Sequence, residues 1–446
     1  MKKLYVLASF VLGLIFNTDA QQTANEHFEA GVAKSKSNDF IGALSSFSIA
    51  ISMNPDNPQS YFNRGLAKQA LKDNRGAILD FDKAIDLSPR DAMAYLYRGL
   101  SKSYQDDNRA ALQDFNRAIE ISPDDAYAYL QRGTIRAKLN DLNKAIQDFT
   151  KVIELNPGDK EKYQAFYSRG LCKSKLEDFN GSIADYSKSI DINPKRAKTF
   201  SERGKNRIKV NDFADAIVDF DEALKLDSQD AEAYYFRAFA KSKIEDYNGA
   251  KFDYDKCLAL DAGYMAAYYG RGFSLSKLNN QKAAISDLNK VLDQKEEVKM
   301  TKESYSATFT KATLDNLRNA VDEKIKISDF TNEKSEVYYT RGVANYKAGN
   351  MKDAIIDLNK SIEVNPTYAE AHFIRGMVRS NLGLQKEALL DINNAIKINP
   401  KYSAAYYVSG LIKNAIGDNN GGCFDLSKAG ELGYAPAYNV IKDYCN

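Results

Sequence analysis

The stretch from Tyr61 to Pro89, YFNRGLAKQALKDNRGAILDFDKAIDLSP, returns 34 residues later as Tyr95 to Pro123, YLYRGLSKSYQDDNRAALQDFNRAIEISP, and again from Tyr129 to Pro157. Weaker copies continue almost to the C-terminus. A period of this length marks one supersecondary unit stacked many times, each copy burying its apolar face only against its neighbours. A chain of 446 residues would otherwise divide into several compact domains; here it is expected to grow as an elongated array.

Taking the glycine of the recurring Arg-Gly pair as position 8 brings the copies into register: Gly31, Gly65, Gly99, Gly133, Gly170, Gly204, Gly272, Gly342, Gly376 and Gly410, with Ala238 in the seventh copy. Position 20 is small (Ala43, Ala77, Ser182, Ala388), position 24 is aromatic or aliphatic (Phe47, Phe81, Tyr186, Leu288), and proline closes most copies at position 32 (Pro55, Pro89, Pro123). Each copy reads as two short amphipathic helices, A and B. Small residues at 8 and 20 let them approach closely, and the proline stops the second.

At these residues the chain resembles the tetratricopeptide repeat family, whose pattern is an aromatic at 4, Leu at 7, Gly at 8, an aromatic at 11, Ala at 20, an aromatic at 24, Ala at 27 and Pro at 32. The match covers residues 24–298 and 335–436, eleven copies in all. The resemblance implies an all-α, right-handed superhelical solenoid of about eleven helix pairs with a concave inner groove.

Position 7 departs from that pattern. It holds arginine in nine copies, from Arg64 and Arg98 to Arg375, and the same nine carry aspartate sixteen residues later, from Asp80 and Asp114 to Asp391. The first copy has neither (Ala30, Ser46) and the last only the aspartate (Ser409, Asp425). Such joint presence points to contact between helices A and B of one repeat. Either the arginines form an anion-binding ladder, or each makes a structural bridge to its carboxylate, which the planar guanidinium suits. A basic residue at position 11 (Lys68, Arg136, Lys241) extends that network or reaches solvent.

Two places break the period. Gly133 and Gly170 are 37 residues apart, which a longer loop would absorb. Gly272 and Gly342 are 70 apart; residues 299–334 lack the motif but hold Leu314, Leu317, Val321 and Ile325 on one helical face, either an insertion or a degenerate repeat. Near the end, Gly421 to Gly433 is similar to the related Sel1-like repeat, with Ala429-Gly430-Glu431-Leu432-Gly433 beside its Ala-Glu-Leu-Gly signature. Residues 437–446 then read as a capping helix that shields the last apolar face. Cys423 and Cys445 flank this cap, as a disulfide or as two thiols, while Cys172 and Cys257 read as small packing residues.

The first twenty residues have the three parts of a secretory leader: basic Met1-Lys2-Lys3, an apolar run from Leu4 to Phe16, and small Ala20. Cleavage near Ala20 would export the chain to the periplasm or beyond; a retained membrane anchor is the alternative. The apolar run is shorter than the ~20 residues of a bilayer span, and none of spanning length follows. With 62 Lys and Arg against 60 Asp and Glu, the chain lacks the basic excess that nucleic acid demands. The two histidines, His27 and His372, read as ordinary helix-surface residues.

No catalytic or metal-binding spacing stands out, so no cofactor is expected: there is no Gly-rich phosphate loop, nucleophile elbow, His-Glu-x-x-His or paired-cysteine motif. What remains is a surface. The resemblance assigns positions 2, 5, 9, 12 and 13 of helix A to the groove. That makes Phe62, Tyr167, Tyr235, Phe239, Tyr269, Phe273, Tyr339 and Phe373 partner-binding candidates, unless they pack against neighbouring helices instead. Lysines at position 13, among them Lys209, Lys243 and Lys277, are either a solvated row or a match for an acidic, extended partner segment. The expectation is a non-catalytic protein- or peptide-binding scaffold of the envelope or extracellular space. A structural part of an envelope assembly, or a glycan-binding module using the tyrosines, are the alternatives.

Overall fold

A computed structural model describes residues 22–293 and 334–445, which contain helices and turns and no strand. The expected leader, including the site near Ala20, lies outside the described residues, as do the apolar positions Leu314, Leu317, Val321 and Ile325. The chain forms two units, considered separately. Unit 1 holds five helix pairs: α1 (22–36) and α2 (Phe40–Met53), α3 (Pro58–Ala70) and α4 (Asn74–Leu87), α5 (Ala92–Ser103) and α6 (Asn108–Ile121), α7 (Ala126–Lys138) and α8 (Leu142–Leu155), α9 (Asp159–Lys175) and α10 (Phe179–Ile192). Unit 2 holds six more: α11 (Ala197–Lys209) and α12 (Phe213–Leu226), α13 (Ala231–Lys243) and α14 (Tyr247–Leu260), α15 (Met265–Lys277) and α16 (Gln281–Leu292), α17 (Lys334–Lys347) and α18 (Met351–Val364), α19 (Ala369–Asn381) and α20 (Gln385–Ile398), α21 (Ser403–Ala415) and α22 (Asn419–Glu431). The closing helix α23 (Pro436–Tyr444) follows.

Each pair is joined by a turn that the sequence writes in two residues. Position 15 takes the left-handed backbone conformation, at Asn38, Lys72, Asp106, Asn140, Glu177, Asn211, Glu245 and Asn279, and at Gly349, Gly383 and Gly417 later in unit 2. Position 16 then caps helix B: Asp39, Asp73, Asp107, Asp178 and Asp246 each accept the backbone N–H three residues on, at 2.9–3.1 Å. Such a cap satisfies one of the donors that every helix start leaves unpaired.

Within a pair, the glycine at position 8 sits on the ring at position 24. A methyl group added at Gly65 would lie 2.7 Å from Phe81, and one at Gly133 2.8 Å from Phe149, so only glycine lets the helices approach this closely. The rings themselves are fully buried. Helix B of each repeat packs on helix A of the next within a unit, and neighbouring A helices also touch one another, so the A helices line an inner face. In unit 2, α17 packs directly on α16, with Arg341 Nη1 donating to Asn289 Oδ1 at 2.8 Å.

The arginines of position 7 are structural. Arg98 donates from Nε and Nη2 to both oxygens of Asp114, at 3.0 and 2.6 Å, and Arg237 does the same to Asp253 at 2.9 and 2.6 Å. The basic residue at position 11 joins the same carboxylate: Lys102 reaches Asp114 at 2.8 Å, Arg136 reaches Asp148 at 2.7 Å and Lys241 reaches Asp253 at 2.8 Å. The remaining guanidinium nitrogen bonds position 25 of the preceding helix B, as Arg98 to Asp82 at 2.7 Å, Arg132 to Asn116 at 2.9 Å and Arg375 to Asn359 at 2.7 Å. Each of these three arginines thus ties three helices, and in Arg98 and Arg132 the guanidinium carbon lies over the ring at position 4, Tyr95 at 5.3 Å and Tyr129 at 5.2 Å. Where arginine is missing, smaller donors substitute: Lys34 reaches Ser46 at 3.0 Å, and Ser409 with Lys413 holds Asp425 at 2.6 and 2.7 Å.

Two expectations change. The three extra residues before Gly170 lengthen a helix rather than a loop: α9 spans 17 residues, because left-handed Asn156 ends α8 and Asp159 and Glu161 start the next helix favourably. His372 is buried rather than on the surface, its Nε2 3.1 Å from the Pro366 carbonyl. The closing helix starts at Pro436, and Cys423 is joined to Cys445 by a disulfide. Tyr438 Oη donates to the Gly430 carbonyl at 3.0 Å and Ala437 is fully buried, so α23 covers the last repeat. Cys172 and Cys257 are buried free thiols, pushed up to about 12 by burial.

Candidate partner-binding faces

The inner faces are built from the exposed side chains of the A helices. In both units rings at position 5 turn inward, Tyr269 being half-buried. Tyr167 packs on Tyr186 with centroids 5.8 Å apart, and Tyr235 lies between Tyr254 at 5.9 Å and Tyr264 at 4.9 Å. Phe373 lies against Tyr402 at 4.9 Å. These three are buried, which removes them from the expected groove strip. The cause is general: position 5 faces position 24 of its own helix pair. In unit 2, a tyrosine that precedes the next helix A closes over it; Tyr368 does so over Tyr339 at 4.9 Å. Tyr339 is half-buried, and burial together with Glu370 and Tyr269 pushes its phenol up to about 12. Phe62 is half-buried against Phe81 and Tyr97, both at 5.7 Å.

Position 9 fits the groove reading better. Phe239 and Phe273 are half-buried, and exposed Lys243 and Lys277 bend over them, ammonium to centroid 5.1 and 5.4 Å. Tyr269 and Lys209 are half-buried on the same A-helix series. Lys243 and Lys277 are therefore held beside aromatic rings, a placement worth ~0.5–1 kcal/mol at exposed sites.

Between repeats six and seven the inner face carries a charge quartet. Position 5 is Ser201 there, and the ring it lacks is supplied by Phe236 of the next helix A, stacked on Phe220 at 6.1 Å. Lys205, 7% exposed, lies over Phe236 at 5.1 Å and reaches Glu232 at 2.7 Å and Glu202 at 3.5 Å. Lys198 reaches Glu202 at 2.8 Å. Burial alone would push the Glu202 carboxyl up, but Lys205 and Lys198 together outweigh it and hold it at about 2.

Unit 1 carries a tyrosine patch that the choice of positions passed over. Tyr97 lies on α5, Tyr104 caps its C-terminal end and Tyr127 lies on α7; Tyr104 and Tyr127 are 47% and 37% exposed. Burial, then Tyr104 and Tyr97, push the Tyr127 phenol up to about 12. Tyr104 and Tyr127 stand at positions 13 and 2, so the register would have found them; Tyr97, at position 6, required the contact with Phe62. Among the described residues no helix is long and apolar enough to cross a membrane, and no group of three or more His, Cys, Asp or Glu is placed to hold a metal.

Models of the tetratricopeptide repeat match residues 28–92, 126–159, 163–196, 231–264 and 335–368. No curated protein matches the chain. Among solved structures, the C-terminal part of a TPR repeat-containing protein from Cytophaga hutchinsonii is 18% identical with a TM-score of 0.47, covering 55% of this chain and 98% of its own. YrrB, described as a TPR protein with an unusual peptide-binding site, is 21% identical with a TM-score of 0.39, covering 42% and 95%. Yeast Tom70 is 15% identical with a TM-score of 0.35, covering 95% and 96%. The helix pairs at these matched residues, found in both units, are tetratricopeptide repeats.

Proposed function

We propose that the protein is an exported, non-catalytic scaffold that binds protein or peptide partners on its inner faces. One observation carries this reading. The charges repeated in the framework are consumed internally, each arginine of position 7 facing a buried aspartate, while Lys243, Lys277, Tyr104 and Tyr127 remain exposed on the A helices. A framework that neutralises itself leaves recognition to the residues that vary between repeats. In unit 2, lysines poised over Phe239 and Phe273 suit an extended acidic segment, whose carboxylates would meet the ammonium groups while its apolar side chains meet the rings. The leader-like start and the Cys423–Cys445 bridge support an oxidising destination, the periplasm or the extracellular space.

The test is capture from an envelope extract by the chain beginning at Gln21. It is compared with a variant carrying Phe239→Ala, Phe273→Ala, Lys243→Glu and Lys277→Glu, shown by circular dichroism to be folded. A partner held by the first and lost by the second supports the reading. Capture unchanged by this variant and by Tyr104→Ala with Tyr127→Ala would remove the inner faces from partner binding.

A further inference from the structure

Among the described helices, α2 alone carries no charged side chain; its sequence is FIGALSSFSIAISM. Its outward ridge is Ile41, Ser45, Ile49 and Met53, four residues apart and all exposed, Ile41 at 74%. The corresponding ridge of every other described B helix holds at least one lysine, arginine or glutamate, as Arg75 and Lys83 in α4 or Glu222 in α12. Beside the ridge, Ser48 and Ser52 donate their hydroxyls to the Leu44 and Ile49 carbonyls at 2.8 and 2.7 Å, so neither loses its partner when water is excluded. The nearest charges in sequence, Asp39 and Asp56, lie beyond the two ends of the helix.

We propose that α2 forms an interface between two copies of this chain, paired antiparallel about a two-fold axis. The ridge lies on a B helix, so the inference goes beyond the inner-face reading, and its failure would leave that reading untouched. Self-complementarity selects the occupant. A two-fold axis at the middle of the helix sets Ser45 against Ile49 of the second copy and Ile41 against its Met53, and each contact occurs twice. At the centre small serine meets isoleucine, as interdigitating ridges require, and at each end isoleucine meets the adaptable methionine. Asp39 falls opposite Pro55, and Asp56 opposite Asn38, so no like charges meet. The same operation on α4 would set Leu79 against Lys83, and on α12 Val218 against Glu222, burying a charge without a partner. Other occupants lack a counterpart here. An acidic or basic segment finds no opposite charge on the ridge, and a glycan finds no exposed ring. A helix that lies on a membrane surface carries lysines and arginines beside its apolar face, which α2 does not. A single helix face offers less than the ~800 Å² that each partner of a standard interface buries, so the association is weak and reversible.

Sedimentation of the chain beginning at Gln21, from ~5 to ~500 µM, measures the association. Its average mass should rise with concentration toward that of a dimer. Ile49→Lys should raise the dissociation constant at least ~10-fold, whereas Leu390→Lys, at an exposed site on α20, should leave it unchanged. Both side chains are exposed and outside the packed rings, so the variants are expected to fold, which circular dichroism checks. Register is tested by oxidising a mixture of Ile41→Cys and Met53→Cys chains. The mixture should give a disulfide-linked dimer and neither variant alone should, because the two copies of either position stand ~18 Å apart along the helix axis. A mass independent of concentration would overturn the interface. Association weakened equally by Ile49→Lys and Leu390→Lys, or by neither, would place the contact elsewhere and overturn it too. Cross-linking of either variant by itself, or none in the mixture, would overturn the antiparallel pairing.

Discussion

Asp148 shows what a single residue does in this framework. It is 2% exposed, and it accepts from Arg132 at 2.7 and 3.1 Å and from Arg136 at 2.7 Å. Removing Asp148 leaves two guanidinium groups without their carboxylate, at ~3 kcal/mol, and removing Arg132 leaves Asp148 to Arg136 alone; replacing Arg132 and Asp148 together with packed apolar groups costs less than the sum. Arg132→Leu with Asp148→Leu should therefore be less harmful than the two single changes summed, by at least ~1 kcal/mol in urea unfolding. Additivity would remove the bridge from the stability of unit 1. The charge quartet gives the second test at this scale. Glu202 is held at about 2, below its ordinary 4.5, so its contribution is complete above pH 4.5 and is lost as pH falls toward 2. Thermal melts followed by circular dichroism should show a shallower loss of stability across that window in Glu202→Gln than in the native chain. Equal slopes would mean the quartet does not stabilise the fold.

Elements were legible where the repeat wrote them in side chains. Helix pairs, the glycine–ring contact and the Arg–Asp pairing all follow from residues recurring at fixed positions. Less legible was anything requiring two repeats at once. Asn116 and Asp82 at position 25 carry no signal until Arg132 and Arg98 are seen reaching across from the next helix. The inward turn of Tyr235 depended on Tyr264, which stands at position 34 of the same repeat, a position the motif leaves unspecified, just before the next helix A. The A–B turn was missed for another reason: its left-handed position is filled by asparagine, lysine, glutamate and glycine alike, so no single residue type marks it. That variety predicts a measurable difference. Glu245 adopts φ 64 where glycine pays no steric penalty, so Glu245→Gly should stabilise unit 2 by ~1 kcal/mol; Gly383→Ala, at φ 80, should destabilise it by about as much. Equilibrium unfolding of the two variants checks both signs.

For the whole molecule, the repeats specify the fold, whereas the export proposed above draws on other parts of the chain. The cysteines connect them. Cys172 and Cys257 are buried thiols, whereas Cys423 and Cys445 close a 22-residue separation between α22 and the end of α23. A loop of that size should add ~3 kcal/mol by restricting the unfolded chain, holding the closing helix over the last repeat. If export delivers the chain to an oxidising compartment, protein recovered from the envelope should label at two cysteines after denaturation without reductant, and at all four after reduction. A chain beginning at Gln21 and kept in a reducing cytosol should label at four in both conditions. It should also lose the closing helix at lower temperature, as hydrogen exchange at Ala437 and Val440 would report. Four labelled cysteines in the exported protein would mean that the cap is held by packing alone, through Tyr438 and Ala437, and that the bridge carries no information about where the protein works.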